Sequence, residues 1–384
     1  MGKGGRIMKK CMICGRPLDG DPLFQLHHAP ASAQNLPDAD TVEDDSGTDL
    51  DLRQCAACGL IQFDCEPVPY FRDVIRGGGF SETMQNLRRS QYRHLIETYH
   101  LEHKKVIEIG CGEGEFVLPL TCFPVQAFGI EHSETLVRKA VNRGLNVWKA
   151  FAETPQTVIK NAPFDAFLMF NFLEHQPRPN DMLRCIYNNL SEGGIGLVTV
   201  PSFDYVCEKN AFYELMRDHL AYYTEATFRF LMEYNGFEVL EHEIVNGDTL
   251  SAVVRKRGKT SMKGFQDNLT ALKKCLSDFA EKKAREGKKI AVWGASHQAF
   301  AILSVTGFGA HVSYIIDSAA FKQNHFAPAS HIPIVAPEHY FAEPADAIVI
   351  VAPGYAAEIA KAAKERFGSR IETYSLLGDK LFVI

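Results

Sequence analysis

The run Val106-Ile107-Glu108-Ile109-Gly110-Cys111-Gly112-Glu113-Gly114-Glu115-Phe116 is suited to holding a ligand against the backbone. Glycines at 110, 112 and 114 leave space where a Cβ would block approach. Glu108 precedes the first glycine by two residues, and its charge would repel a pyrophosphate, so the turn suits a cationic ligand. Roughly 20 residues on, at the spacing of a ribose-binding acid, Ala127-Phe128-Gly129-Ile130 leads to Glu131, placed to accept from both ribose hydroxyls. A second set of candidates is the pairs Cys11-Met12-Ile13-Cys14 and Cys55-Ala56-Ala57-Cys58, each followed by a glycine. Four soft thiolates match tetrahedral structural zinc. Two disulfides or a redox pair are the alternatives, and His27 and His28 are alternative ligands. A third set is Asp218-His219, with Tyr205, Tyr213, Tyr222 and Tyr223 around it. A histidine beside a carboxylate is a candidate base, oriented or made more basic by Asp218, and the phenols could stabilise an oxyanion. The plainer reading is a surface histidine ahead of a helix.

Each set needs elements to hold it. Strands are expected over 106–109, 127–131 and 165–170, the last running into Asn171-Phe172-Leu173-Glu174-His175. A turn at Ser191-Glu192-Gly193-Gly194 leads into a strand ending at Pro201, beyond which Asp218 and His219 lie. Strands alternating with helices predict a doubly wound sheet, with its ligand crevice at the carboxyl ends of the strands. Ser81-Glu82-Thr83-Met84 caps a helix to His100 that carries Arg88, Arg89, Arg93 and His94, as a solvated face or as a lid. Arg76-Gly77-Gly78-Gly79-Phe80 reads as a flexible loop, and 29–51 as a loop between the cysteine pairs. Thr224-Glu225-Ala226-Thr227 starts a helix to Tyr234, closed by Asn235-Gly236. After Arg255 the pattern restarts: a helix over 262–285, then strands over 290–293, 312–316 and 345–351. This smaller β/α unit offers helix amides to a phosphate but has no G-x-G-x-x-G, so a tightly held dinucleotide is not expected. A packing or dimerisation domain is the alternative.

The 384 residues suggest two or three domains, and 46% hydrophobic residues supply their cores. A net charge of -6 gives no basic footprint for nucleic acid. No segment reaches the ~18 consecutive apolar residues of a membrane span, and no apolar signal core follows Met1. The expectation is a cytoplasmic protein acting on a small molecule, without nucleic-acid or membrane partners, as a monomer or homodimer.

The Glu108-to-Gly114 pattern resembles the first motif of class I S-adenosylmethionine (SAM)-dependent methyltransferases, whose cofactor carries an amine and a sulfonium. Asn171 to His175 resembles their fourth motif, and Ser191 to Pro201 their late turn and strand. The resemblance implies a class I methyltransferase Rossmann-like sheet with SAM held by Glu108, Gly110, Gly112, Gly114, Glu131, Asn171, Glu174 and His175. The whole order further resembles the deoxysugar C-methyltransferases: a paired-cysteine module, a SAM domain with Asp218-His219-Leu220-Ala221-Tyr222-Tyr223, and a Rossmann-like end with Val292-Trp293-Gly294-Ala295 and Ile316-Asp317-Ser318. That likeness implies a zinc module over 1–70 that caps the site, a SAM domain over 71–255 and a substrate-nucleotide domain over 256–384. It makes His219 the candidate base, with Asp218, Tyr222 and Tyr223 assisting. It makes Gly294, His297, Asp317 and Tyr355 candidates on the nucleotide side. The reaction implied is C-methylation of an NDP-4-keto-deoxysugar through an enolate. O- or N-methylation of a sugar or other metabolite is the enzyme alternative, and non-catalytic SAM and nucleotide-sugar binding the alternative of another class. Asp218 stands where the best-known members have Glu, and Met216 where they often have Tyr.

Overall fold

A computed structural model describes residues 10–74 and 79–384. Residues 1–9 and Arg76 to Gly78 of the expected glycine loop lie outside the described residues. The chain forms two compact units, Met1–Gly258 and Lys259–Ile384. The break falls three residues after the boundary expected at 255. The cysteine segment belongs to the first unit.

The first unit runs β1 (Phe24–Ala29), β2 (Thr48–Gln54), β3 (Ile61–Phe63), α1 (Glu82–Tyr99), β4 (Lys105–Ile109), α2 (Val117–Leu120), β5 (Gln126–Glu131), α3 (Glu134–Asn142), β6 (Val147–Lys149), β7 (Phe164–Phe170), α4 (Pro179–Asn188), β8 (Leu190–Pro201), α5 (Phe203–Lys209), β9 (Ala221–Tyr222), α6 (Glu225–Tyr234), β10 (Phe237–Val245) and β11 (Thr249–Lys256). The large sheet has the order β10-β11-β8-β7-β4-β5-β6. It is parallel from β8 to β6, with β11 antiparallel to both β8 and β10. This is the class I methyltransferase topology, Rossmann-like and doubly wound.

Strand β7 shows why the central strands read as unbroken apolar runs. Phe167 and Met169 pack in one core layer, and Ala166, Leu168 and Phe170 in the other. Side chains alternate across a strand, and both faces of a parallel sheet are covered. Strand β8 starts at Leu190, so the expected turn at 191–194 lies within the strand, beside a register shift opposite Phe164 and Ala166. Gly193, at φ +72°, takes the irregularity.

Helix α1 starts where expected: Ser81 accepts from the Met84 amide, and His100 ends the helix in the left-handed region. Its charges divide between the two readings. Arg88 is buried, while Arg89, Arg93 and His94 are exposed.

The cysteine segment builds a four-stranded antiparallel sheet, β1-β2-β3-β9, whose last strand comes from just after His219. Strand β2 occupies 48–54, so the loop expected over 29–51 is shorter and spans 30–47.

The second unit runs α7 (Lys263–Arg285), β12 (Ile290–Trp293), α8 (His297–Val305), β13 (Val312–Ile316), β14 (His325–Phe326), β15 (Pro333–Val335), β16 (Ala347–Ile350), α9 (Ala356–Phe367), β17 (Glu372–Leu377) and β18 (Lys380–Val383). Its sheet order is β14-β15-β13-β12-β16-β17-β18, with five central parallel strands and an antiparallel strand at each edge. No helix among the described residues is long and apolar enough to cross a membrane.

Candidate active site

Strand β4 delivers the chain into a turn that only glycine tolerates. Gly110, Gly112 and Gly114 have φ of +68°, +57° and +82°. A Cβ on Gly110 would stand 3.1 Å from the Phe172 ring, and one on Gly112 would stand 2.7 Å from a Glu115 carboxylate oxygen. The turn is tied to β5: the Gly110 and Cys111 amides donate to the Ile130 carbonyl. Glu131 accepts from the Gly112 amide at 3.0 Å and from the Ser133 amide at 2.9 Å. A carboxylate has about four acceptor positions, so two amides leave capacity for hydroxyls. Burial raises the Glu131 pKa, against the pull of those amides.

Above the turn lies a cavity of about 540 Å³. Gly110, Gly112, Glu115, Asn171, Glu174 and His175 are in its wall, together with Asp218 and His219. It opens at the carboxyl ends of β4, β7 and β8, as expected for an open α/β sheet. The wall combines a cradle that a Cβ would fill with charges of both signs, and this fits an aminoacyl sulfonium cofactor. Arg88 contributes the cation. Its guanidinium lies 3.8 Å from the Phe170 ring centre and donates to Gln91 at 2.6 Å.

A short 3-10 turn, Leu173–His175, follows β7 and presents Glu174 and His175, both buried. His175 Nδ1 donates to the main-chain carbonyl of Asp218 at 2.7 Å. A carbonyl only accepts, so the Nδ1 position carries the proton and Nε2 keeps its lone pair. The His175 and His219 rings meet edge to face, with centroids 4.8 Å apart. Burial, then the neighbouring His175, pushes the His219 pKa down to about 3, so its ring is neutral near pH 7. Burial also lowers the His175 pKa.

Several assignments need correction. The Asp218 carboxylate does not orient His219: it accepts from the Tyr70 hydroxyl at 2.6 Å and the Ala33 amide at 2.9 Å. Adjacent residues point apart, and here the Asp218 side chain ties down the loop of the cysteine segment. Tyr222 is not placed to polarise a substrate, because its hydroxyl is engaged by the Met216 amide and carbonyl. Tyr223 is fully buried beneath the site and is absent from the cavity wall. Glu108 is likewise fully buried in β4 and outside that wall. Tyr213 is 69% exposed on the surface.

The four thiols of the cysteine pairs converge. Cys11 and Cys58 sulfurs are 3.4 Å apart, and those of Cys14 and Cys55 3.5 Å apart. Tetrahedral zinc–thiolate geometry places sulfurs about 3.8 Å apart, whereas a disulfide needs about 2.05 Å. Each pair forms a tight knuckle in which the glycine amide returns to the first cysteine's carbonyl, Gly15 to Cys11 and Gly59 to Cys55. The donor set fits a structural zinc ion. His27 lies instead beside Asp49, across the β1–β2 pair.

In the second unit, the four nucleotide-side candidates follow three neighbouring parallel strands: Gly294 and His297 after β12, Asp317 after β13 and Tyr355 after β16. Gly294 has φ +109°, and Tyr355 is 68% exposed. The buried Asp317 carboxylate is already engaged. It accepts from the Ala295 amide at 2.8 Å, the Ala319 amide at 2.9 Å and Lys322 at 3.0 Å.

Comparison with known proteins matches both units. Residues 83–242 match a family described as a methyltransferase domain, and residues 254–371 one described as the C-methyltransferase C-terminal domain. The chain is a SAM-dependent methyltransferase. The C-methyltransferase NovU of Streptomyces niveus is 22% identical over 395 residues, spanning 94% of this methyltransferase and 93% of NovU. Among solved structures, the magnesium protoporphyrin IX methyltransferase ChlM of Synechocystis PCC 6803 matches at 16% identity and TM-score 0.37, covering 49% of this chain and 90% of its own. A possible histamine N-methyltransferase of Thermotoga maritima matches at 23% and 0.36, covering 46% and 94%.

Several wall residues of this methyltransferase carry no motif. Glu115 sits just past the last glycine, 6% exposed. Its position at the exit of the turn was the one available signal. The wall residues Ala33 and Gln34, and Tyr70 whose hydroxyl bonds their amides, come from segments 148 to 185 positions from Asp218. Nothing local marks them.

Proposed function

We propose that this methyltransferase transfers the methyl group of SAM to a carbon beside the ketone of an NDP-4-keto-deoxysugar, with His219 as base. The observation that carries the reading is that His219 shares one cavity wall with the Gly110–Gly112 turn. The C-methyltransferase domain match and the likeness to NovU support it. When bound, the cofactor supplies an electrophilic methyl group. Gly110, Gly112, Gly114 and Asn171 shape its bed, Glu131 takes its ribose hydroxyls, and Glu115 and Arg88 meet its ammonium and carboxylate ends. His219, neutral near pH 7, accepts the proton from the acidified carbon. His175 holds the neighbouring wall through the Asp218 carbonyl, and buried Glu174 offsets the imidazolium charge as it forms. Gly294, His297, Asp317 and Tyr355 serve the nucleotide. Asp317 acts there through the loop it braces. Cys11, Cys14, Cys55 and Cys58 hold zinc, which sets the fold of the segment that brings Ala33 and Gln34 to the cavity.

His219→Asn tests the base. It should remove at least about 100-fold of turnover, within the range of general-base catalysis, while S-adenosylhomocysteine binding stays within a few-fold. Wild-type protein should wash solvent deuterium into the position beside the ketone, and the variant should not. A variant that retains wild-type turnover removes His219 from the role. Methyl transfer to oxygen or nitrogen without deuterium wash-in replaces C-methylation.

A further inference from the structure

We propose that Glu174, His175 and His219 form a second metal site, separate from the cysteine cluster, which takes a borderline divalent cation such as zinc, cobalt or nickel. Filling it silences the enzyme. The silencing rests on His219 being the base; the binding does not.

One carboxylate oxygen of Glu174 and one ring nitrogen from each histidine lie within 4.8 Å of one another. The Glu174 oxygen and His175 Nε2 are 3.9 Å apart. Bonds of ~2.0–2.1 Å to a tetrahedral ion require ligand atoms about 3.4 Å apart. Side-chain rotations that shorten these separations by up to ~1.4 Å therefore complete the geometry.

The outer arrangement is the one that metal-binding histidines use. His175 donates its Nδ1–H to the Asp218 carbonyl, which fixes the ring and aims Nε2 away from that bond. Asp218 is itself pinned by Tyr70 and Ala33. Glu174 is held on the other side, because its main-chain carbonyl accepts from the Leu220 amide next to His219. The ligand-bearing segments, 173–175 and 218–220, are thus bonded directly to each other. Two imidazoles and one carboxylate suit zinc, cobalt and nickel better than magnesium or calcium, which favour all-oxygen shells. All three residues face the cavity, so an ion can enter and a further coordination position remains for water.

A lone pair on His219 that binds a cation cannot accept a proton. Metal binding and proton abstraction therefore exclude each other at this atom, and the ion acts as a reversible inhibitor.

The test is cobalt titration of full-length protein whose cysteine cluster is already zinc-loaded, followed by visible absorption. Saturable weak d–d bands without strong thiolate charge transfer are expected in the wild type. Glu174→Ala and His219→Asn should each weaken cobalt binding by more than about tenfold, since loss of a mere outer partner already costs that much. His219→Cys, which keeps a ligand, should restore binding, and melting curves establish that each variant is folded. In the wild type, the cobalt concentration giving half-inhibition of methyl transfer should equal its dissociation constant, and EDTA should reverse the effect. Absence of saturable cobalt binding, or binding unchanged in folded Glu174→Ala and His219→Asn, overturns the site. Activation by cobalt overturns the silencing. Full turnover of His219→Asn would sink the base assignment, while cobalt absorption would still decide whether the site exists.

Discussion

Tyr70→Phe removes a single oxygen from the knot that joins the cysteine segment to the cavity wall. That oxygen donates to Asp218 at 2.6 Å and accepts from the Ala33 and Gln34 amides, each at 3.1 Å. In the variant the Asp218 carboxylate keeps the Ala33 amide, and Gln34 must turn to water. A hydrogen bond to a charged partner is worth about 1.5–3 kcal/mol. For a unit of this size each kcal/mol moves the melting temperature by ~2–4 °C, so a fall of roughly 3–12 °C is expected for the Met1–Gly258 transition. Function should suffer through the same atoms. Ala33 and Gln34 line the cavity, and the Asp218 carbonyl holds His175. KM for the acceptor should rise more than kcat falls, because the proposed base, His219, keeps its own contacts. Differential scanning fluorimetry with and without S-adenosylhomocysteine, alongside steady-state kinetics, reads both effects. A melting temperature within about 1 °C of wild type together with an unchanged KM would refute the claim that this knot shapes the acceptor side.

Gly114→Ala should be costly in both fold and cofactor binding. Its Cβ would stand 2.3 Å from a Leu145 methyl at φ +82°, and left-handed backbone plus overpacking costs ~2–5 kcal/mol; a normal melting curve with normal S-adenosylhomocysteine affinity would contradict this. Cys11→Ser should abolish tight zinc retention and lower the melting temperature of the first unit, as metal analysis and calorimetry will show. The second unit carries its own pH signature. Hydrogen bonds from Lys283, then Lys288 and Tyr374, depress the Glu372 pKa to about 2. A depressed carboxylate stabilises the fold above its unfolded pKa of about 4.3. That stability is lost as pH falls from there through about 2. Glu372→Gln should therefore flatten the acid limb of stability between pH ~4.5 and ~2 while leaving slopes near pH 7 unchanged, which acid titration followed by circular dichroism measures.

The parts that could be read from the chain are those whose physics is local. Three glycines alternating after an apolar strand specify a left-handed turn, because only glycine adopts that backbone without strain. Ser81 and Thr224 mark helix starts because their side chains satisfy the amide three residues on. The C-x-x-C-G knuckles close within five residues. Paired with the order of strands, these features determined the class of fold and the place of the cofactor turn.

Side-chain direction in the cavity was decided elsewhere. Asp218 and His219 are neighbours in the chain, and the sequence invited a direct partnership. The tertiary structure turns Asp218 toward Tyr70, 148 positions away, and gives His219 a different companion, His175. Arg88 looks like one of several surface charges until the aromatic rings of Phe116 and Phe170 close over it. A hydrogen bond between distant segments depends on how the β3–β9 pairing and the β7 turn are brought together, and no spacing rule encodes that. The chain by itself determined which chemistry is on offer. Only the packing of its segments decided which atoms face the cavity, because burial and partner choice are properties of the assembled core.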